Sequence, residues 1–220
     1  IGRLADLNDC WLHVDSAMAG TAAVCPEFRY LNDGIDLADS YCFNPHKWML
    51  TNFDCNCFYV KDKKTLISAL SVVPEYLRNP RALDQPVVDF RDWQVPLGRR
   101  FRALKLWFVI RSYGVGGIRE YVRGHVKIAS KFASWVEAEN GFELTSYTGL
   151  NLVCFRIEGD NARNEKLLNT INETGSIFLS HTIIDGRFSL RLCVGQVRVS
   201  EQTVLQAWEV IKTCASGIET

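Results

Sequence analysis

Two short strand-like runs, each ending at a polar residue, most constrain the fold of this chain. Residues 10–15 carry apolar Leu12 and Val14 on one face and end at Asp15, and residues 39–44 form a second run that stops at Pro45. The segment between them is long enough for a helix, so the two strands can lie parallel, with both carboxyl ends at one edge of a sheet. Open α/β folds bind their ligands at this edge. The pattern therefore predicts a site there.

Lys47 is the first candidate at this edge. It follows the second run and has apolar neighbours on both sides, whereas lysine is rarely buried unless its charge is compensated. Burial or a nearby cation lowers the pKa of a lysine and yields a neutral amine that can form a Schiff base with an aldehyde. The alternative is an ordinary lysine that extends its amine from a strand end into solvent.

Asp15 is the second candidate. It is followed at residues 16–20 by the small-residue run Ser-Ala-Met-Ala-Gly. A carboxylate in this position can keep a pyridine nitrogen protonated, so that the ring accepts electrons, while small side chains leave the face of the ring open. The alternatives are a turn aspartate and a packing requirement for the small residues. Since Asp15 and Lys47 end successive predicted strands, we expect them at the same edge of the sheet.

Long stretches of the sequence resemble the pyridoxal-phosphate-dependent aromatic L-amino-acid decarboxylases, the group II decarboxylase family. They follow the family's order and read W-L-H-V-D-S-A-M-A-G, C-P-E-F-R, A-D-S-Y-C-F-N-P-H-K-W-M-L-T-N-F-D-C and D-W-Q-V-P-L-G-R-R-F-R-A-L-K-L-W-F-V-I-R. The resemblance implies an α/β chain of fold type I, the fold of pyridoxal-phosphate-dependent transferases. It also implies pyridoxal 5'-phosphate as cofactor and a homodimer with its site at the subunit boundary.

The resemblance assigns roles to five residues near the two strand ends. Lys47 forms the Schiff base with the cofactor, and Asp15 pairs with the pyridinium nitrogen. Ala17 lies against the face of the ring, and Asn44 and His46 bind the phosphate or hold the turn that carries the lysine. The alternatives are a turn-capping role for His46 and a simple strand-ending role for Asn44. His13, close to Asp15 in sequence, is predicted to be a core histidine without a catalytic role.

A predicted loop at 73–96 contains Tyr76, which in the resembled family lies on a mobile catalytic loop and returns a proton to the substrate carbon after carbon dioxide leaves. Phenylalanine at this position is associated with relatives that make aldehydes by oxidative deamination. Tyr76 therefore favours decarboxylation of an aromatic L-amino acid to the arylalkylamine. An aromatic residue that merely anchors the loop is the alternative. Gly98 matches a position that lines the substrate pocket and leaves room for the side chain of tryptophan, tyrosine or dihydroxyphenylalanine.

Three other functions stay open: aromatic aldehyde synthesis, glutamate decarboxylation, and a structural or dimerising fragment that is catalytically silent when isolated. Tyr76 argues against the first and the P-L-G-R-R-F-R segment against the second. The chain is expected to be the C-terminal half, roughly, of a longer polypeptide, because the family's lysine lies well past the middle.

We predict two domains. Residues 1–104 are the C-terminal part of the cofactor-binding large domain, and residues 105–220 are a small α+β domain. In the first domain, strands are predicted at 10–15, 39–44 and 53–61 and a helix at 65–71. Beyond it, helices are predicted at 97–113, 118–138, 162–174 and from an N-cap at Ser200 to 214, with strands at 142–145, 150–157 and 188–195.

Composition excludes several other classes. The 25 basic and 25 acidic residues give a net charge of +0, so bulk charge gives no reason to expect nucleic acid or an anionic membrane as partner. No apolar run reaches the roughly 18 residues of a membrane span, and no signal peptide is evident. A cytoplasmic protein without a metal site is expected, its eight cysteines reduced and mostly structural. Four of them are predicted to pack as small hydrophobes within strands: Cys10, Cys42, Cys154 and Cys193.

Overall fold

The computed structural model describes residues 1–71 and 88–218. They divide into two compact units, residues 1–112 and residues 113–220. The domain boundary proposed near residue 104 stays a prediction. Tyr76 and most of the predicted loop 73–96 lie outside the described residues. Among the described helices, none combines the length and the hydropathy that a membrane crossing requires.

The first unit contains a three-stranded sheet of β1 (His13–Asp15), β2 (Ser40–Phe43) and β3 (Cys57–Val60), in that order. Strands β1 and β2 are parallel, with Asp15 opposite Cys42, and β3 is antiparallel to β2. All three predicted strands are present, each shorter than expected. The predicted parallel arrangement, which sets both strand ends at one edge, is confirmed.

The connections in this unit are short helices. These are α1 (Gly2–Leu7), α2 (Pro45–Trp48), α3 (Lys63–Leu70) and 3-10 segments at Ala19–Val24, Pro26–Asn32, Ile35–Leu37 and Phe90–Trp93. Gly34 separates two of these 3-10 segments and adopts a φ of 82°, which glycine tolerates best. The side chain of Asp62 caps α3 by accepting the N–H of Lys64 at 2.9 Å.

The segment α4 (Ala103–Ala138) consists of two helices joined across a kink, where helices were predicted at 97–113 and 118–138. The kink lies at Gly114, whose φ of 64° and ψ of 172° are not helical, so the predicted break between the two helices is confirmed. The helix begins later than residue 97 because the preceding segment is held elsewhere: the side chains of Arg100 and Arg102 bind Asp54 at 2.8 and 2.9 Å.

The second unit builds an antiparallel sheet in the order β4-β5-β7-β6, flanked by two further helices. Its elements are β4 (Phe142–Tyr147), β5 (Leu152–Ile157), α5 (Asn161–Glu173), β6 (Ser180–Ile184), β7 (Arg187–Cys193) and α6 (Glu201–Ser216). The predicted cap is confirmed, because the Ser200 hydroxyl accepts the N–H of Thr203 at 3.2 Å. Strand β6 was not predicted, although the Asp185-Gly186 turn before β7 signals a hairpin; both residues have positive φ, 49° and 76°.

The predicted burial of the four strand cysteines was right for two of them and wrong for the other two. Cys42 and Cys154 are buried, whereas Cys10 and Cys193 are exposed. Cys10 precedes β1 rather than lying within it, and Cys193 is the last residue of β7. Strand ends lack neighbours on one side, so apolar flanks in the sequence do not ensure burial there.

An aromatic cluster forms the core of the second unit. Phe132 of α4 packs edge-on against Phe155 of β5 and Trp208 of α6, with ring centroids 5.4 and 5.5 Å apart. Phe132 and Phe155 are completely buried, and Trp208 is 3% exposed. Edge-to-face pairs of this kind add to the free energy gained from apolar burial alone. Three elements distant in sequence therefore meet at Phe132.

Removing this ring should destabilise the protein. We expect Phe132→Ala to lower the free energy of unfolding by about 3–5 kcal/mol, because it leaves a cavity among rings that cannot collapse fully. Denaturant titration followed by circular dichroism measures the loss. The matched control is Phe178→Ala, at a phenylalanine that is 82% exposed, and equal losses for the two variants would contradict this description of the core.

Candidate active site

The backbone joins the segments that follow β1 and β2. Asn44 donates its N–H to the carbonyl of Ala17 at 2.9 Å, and Lys47 donates its N–H to the carbonyl of Asn44 at 2.9 Å. Ser16 in turn donates its N–H to the carbonyl of Cys42 at 2.9 Å. Pro45, with its fixed φ, starts α2 immediately after this junction. The turn carrying Lys47 is thus held against the loop after Asp15.

Asp15 lies at this junction as an ionised carboxylate. Its Oδ1 accepts the N–H of Ala17 at 2.9 Å and the thiol of Cys42 at 3.5 Å. The Ala17 hydrogen bond, the Cys42 hydrogen bond and the positive charge of Lys47 hold the pKa of Asp15 below its usual value. Within the described part of the chain, its Oδ2 makes no hydrogen bond. One carboxylate oxygen is therefore fixed and the other is available.

Lys47 is close enough for its charge to act on Asp15. Lys47 is exposed among the described residues, which agrees with the alternative of a lysine that extends its amine from the strand end into solvent. Its apolar neighbours serve the backbone instead, because Trp48 is completely buried and anchors α2. The lysine amine consequently projects from a fixed turn and is accessible.

Asn44 and His46, both just before Lys47 in the sequence, differ in their hydrogen bonding. The Oδ1 of Asn44 is buried and has no hydrogen-bond partner among the described residues, although buried polar groups are nearly always paired. The Nδ1 of His46 lies 3.0 Å from the backbone N of Cys55 and 2.7 Å from its O. The ring also packs edge-on against Phe53, at 4.8 Å between centroids. His46 therefore holds the loop before β3, while the amide of Asn44 is left for another partner.

Within the small-residue run at 16–20, packing requires a glycine at Gly20. A Cβ there would lie 2.5 Å from the Cβ of Phe43 and 2.6 Å from the Oη of Tyr41, distances that side chains do not tolerate. The packing alternative raised by the sequence thus holds at this position. Ala17 has a different part, since its N–H and its carbonyl bind Asp15 and Asn44 respectively.

These groups fit pyridoxal 5'-phosphate. The cofactor requires an amine for its aldehyde, a carboxylate for its ring nitrogen and polar groups for its phosphate. Lys47 presents an accessible amine, Asp15 an ionised carboxylate whose Oδ2 makes no hydrogen bond among the described residues, and Asn44 a side-chain amide whose NH2 group can donate to a phosphate. All three follow the carboxyl ends of adjacent parallel strands, where α/β folds bind ligands.

The structure does not bring every predicted residue to this edge. Gly98 is exposed, and a Cβ there would meet no heavy atom within 4 Å, so no described contact joins it to the site. Tyr76 lies outside the described residues. His13 was wrongly predicted to be a core residue; it is exposed, and its Nδ1 lies 2.8 Å from the Oγ of Ser40. The strand alternation that sets His13 on the same face as Asp15 was the signal that sequence reasoning overlooked.

Fold and site together define a class, the pyridoxal-phosphate-dependent enzymes. A family model described as the pyridoxal-dependent decarboxylase conserved domain matches residues 1–158. The chain therefore belongs to the pyridoxal-dependent decarboxylase family, and the family assignment made from the sequence motifs is confirmed.

Individual relatives agree with this assignment. The chain is 44% identical to tyrosine decarboxylase 2 of Narcissus pseudonarcissus, over 98% of this chain and 45% of that protein. It is also 44% identical to phenylacetaldehyde synthase of Arabidopsis thaliana, over 98% of this chain and 46% of that protein. The chain thus spans about half the length of the curated relatives it matches.

The same result is seen in three dimensions. The crystal structure of Oryza sativa TDC with PLP and tryptamine superposes with a TM-score of 0.92 at 39% identity, covering 100% of this chain and 47% of that one. The predicted fold class, fold type I, is confirmed by this similarity.

Gly20 offers a test of the packing beneath the site. We expect Gly20→Ala to destabilise the protein by about 1–3 kcal/mol, because the added methyl group overpacks Phe43 and Tyr41. The free energy of unfolding in urea measures the change. Gly124→Ala is the matched control: a Cβ at this position in α4 meets no atom within 4 Å, and alanine favours a helix by up to about 1 kcal/mol. Destabilisation by Gly124→Ala alone would contradict the packing described here.

Proposed function

We propose that the protein removes carbon dioxide from an aromatic L-amino acid, with pyridoxal 5'-phosphate as cofactor, and releases the arylalkylamine. The observation that carries the proposal is the accessible amine of Lys47 beside the ionised Asp15, at the ends of two adjacent parallel strands. An amine and an acid so arranged match the two ends of one flat heterocycle.

Each of these residues has a defined task in this proposal. Lys47 would supply the amine that holds the cofactor through its aldehyde. Asp15, which its lowered pKa keeps ionised, would accept the N–H of the ring nitrogen at Oδ2. Ala17 lies against the ring face, and Asn44 and His46 serve the phosphate. Bound in this way, the cofactor supplies a ring that accepts the electron pair left when carbon dioxide departs.

Tyr76 and Gly98 complete the proposal. Tyr76 returns a proton to the substrate carbon after carbon dioxide leaves, and Gly98 leaves space for the aromatic side chain. The aromatic substrate class is supported by the names of the similar proteins, which contain tyrosine, phenylacetaldehyde and tryptamine. The motif resemblance further supports a cytoplasmic homodimer with its site at the subunit boundary, and a domain boundary near residue 104.

Aromatic aldehyde synthesis is the second candidate, favoured by the 44% identity to a phenylacetaldehyde synthase. That level of identity equals the value for a tyrosine decarboxylase, so overall similarity does not separate the two reactions. Tyr76 does favour one of them, because a phenol can donate a proton and a phenylalanine ring cannot.

Replacing the lysine tests the core of the proposal. We expect Lys47→Ala in the full-length protein to abolish both the visible absorbance band of the bound cofactor and amine formation, because the proposal gives the covalent attachment of the cofactor to the Lys47 amine. Absorption spectroscopy and an assay of carbon dioxide release measure these two properties. Lys63→Ala, at an exposed lysine on α3, should retain both, and their retention in Lys47→Ala would refute the proposal.

Tyr76→Phe separates the two candidate reactions. We expect cofactor binding to persist while amine formation falls about a hundredfold or more, the typical loss when a general acid is removed. Aldehyde, ammonia and hydrogen peroxide should rise in compensation, with molecular oxygen as the oxidant. Chromatography of products and a peroxide assay measure this change. The control is Tyr30→Phe, at an exposed tyrosine, and unchanged amine output from Tyr76→Phe would exclude the role given to Tyr76.

A further inference from the structure

Polar side chains line one face of the β1–β2 pair and lead to Asp15. In a strand, alternate residues share a face, and the parallel register sets Ser40 beside His13 and Cys42 beside Asp15. The Nδ1 of His13 lies 2.8 Å from the Oγ of Ser40, and its Nε2 lies 3.6 Å from the Sγ of Cys42. Cys42 lies in turn 3.5 Å from the Oδ1 of Asp15. At the other end, Trp11 donates its Nε1–H to Ser40 at 2.8 Å.

The two ends of this chain of contacts fix its direction. The carboxylate of Asp15 can only accept, so the single thiol proton of Cys42 points towards it. The sulfur of Cys42 is then an acceptor for the Nε2–H of His13. In neutral His13 this leaves Nδ1 to accept the hydroxyl proton of Ser40, whose oxygen already accepts from the donor-only indole of Trp11. Every group thus donates one proton in the direction of Asp15.

Cys42 is suited to the role of donor. Its side chain is 8% exposed, and burial, followed by the negative charge of Asp15, raises the pKa of the Cys42 thiol. The thiol therefore keeps its proton at neutral pH, while the lowered pKa of Asp15 keeps the carboxylate ionised. Donor and acceptor are both in the states that the hydrogen bond requires.

We propose that Cys42 is a positioning residue for Asp15, and that His13 and Ser40 orient the thiol for this task. The Ala17 N–H and the Cys42 thiol both bind Oδ1, which limits rotation of the carboxylate and leaves Oδ2 without a hydrogen bond among the described residues. This inference rests on the proposed function, because Oδ2 is the oxygen offered to the cofactor's ring nitrogen.

The test measures the affinity of the cofactor-stripped full-length protein for pyridoxal 5'-phosphate, by quenching of tryptophan fluorescence. We expect Cys42→Ala to weaken binding about fivefold, the loss typical of one hydrogen bond. Cys42→Ser keeps a donor on the same strand face and should bind within about twofold of the unaltered protein. Cys154→Ala, which removes another buried thiol in β5, should leave affinity unchanged.

A double variant distinguishes positioning from general damage to the fold. If Cys42 acts through Asp15, Cys42→Ala causes no further loss of affinity in an Asp15→Asn background, whereas independent effects multiply. Multiplied losses, equal losses for Cys42→Ser and Cys42→Ala, or full affinity in Cys42→Ala would each overturn the inference. Failure of the proposed function would give a different result: the Asp15→Asn variant alone would keep full affinity for pyridoxal 5'-phosphate.

Discussion

The parallel pairing of β1 with β2 is the constraint on which the site depends. It sets Asp15 opposite Cys42, and it brings the loop after one strand to the turn after the other. Three backbone hydrogen bonds then tie these segments together, from Ser16, Asn44 and Lys47. Because the bonds use main-chain atoms, the site's geometry is set by the sheet before any catalytic side chain takes part.

The same strand pair separates two kinds of surface. Tyr41 and Phe43 lie on one face, where their rings contact each other and that of Tyr59, and Gly20 is required beneath them. The other face carries polar groups that converge on Asp15. Because side chains alternate between the two faces of a strand, one face packs aromatic rings and the other holds the polar groups near Asp15. This division explains how the carboxylate of Asp15 on β1 can be held by hydrogen bonds while the neighbouring strand β2 is anchored by aromatic rings.

Sequence reasoning succeeded where the signal is local. The end of β1 at Asp15, the proline after β2 and the cap at Ser200 each involve residues a few positions apart, and all three were found. The break between the helices predicted at 97–113 and 118–138 is likewise confirmed by the non-helical φ and ψ of Gly114. Sequence reasoning failed where distant contacts decide. The first of these helices starts at Ala103 rather than at residue 97, because Asp54, far away in sequence, binds the arginines before it.

By itself the sequence determined the family and the parallel pairing of the two strands at the site, and it predicted Asp15 and Lys47 as the acid and the amine. These follow from motifs and from the length of the connection between the strands, which can be read along the chain. Only the tertiary structure decided that Lys47 is accessible, that the Oδ1 of Asp15 is already occupied, and that His13 and Cys42 face it. These properties arise from atoms that lie on different strands. A local sequence pattern does not specify which of these atoms form hydrogen bonds with one another.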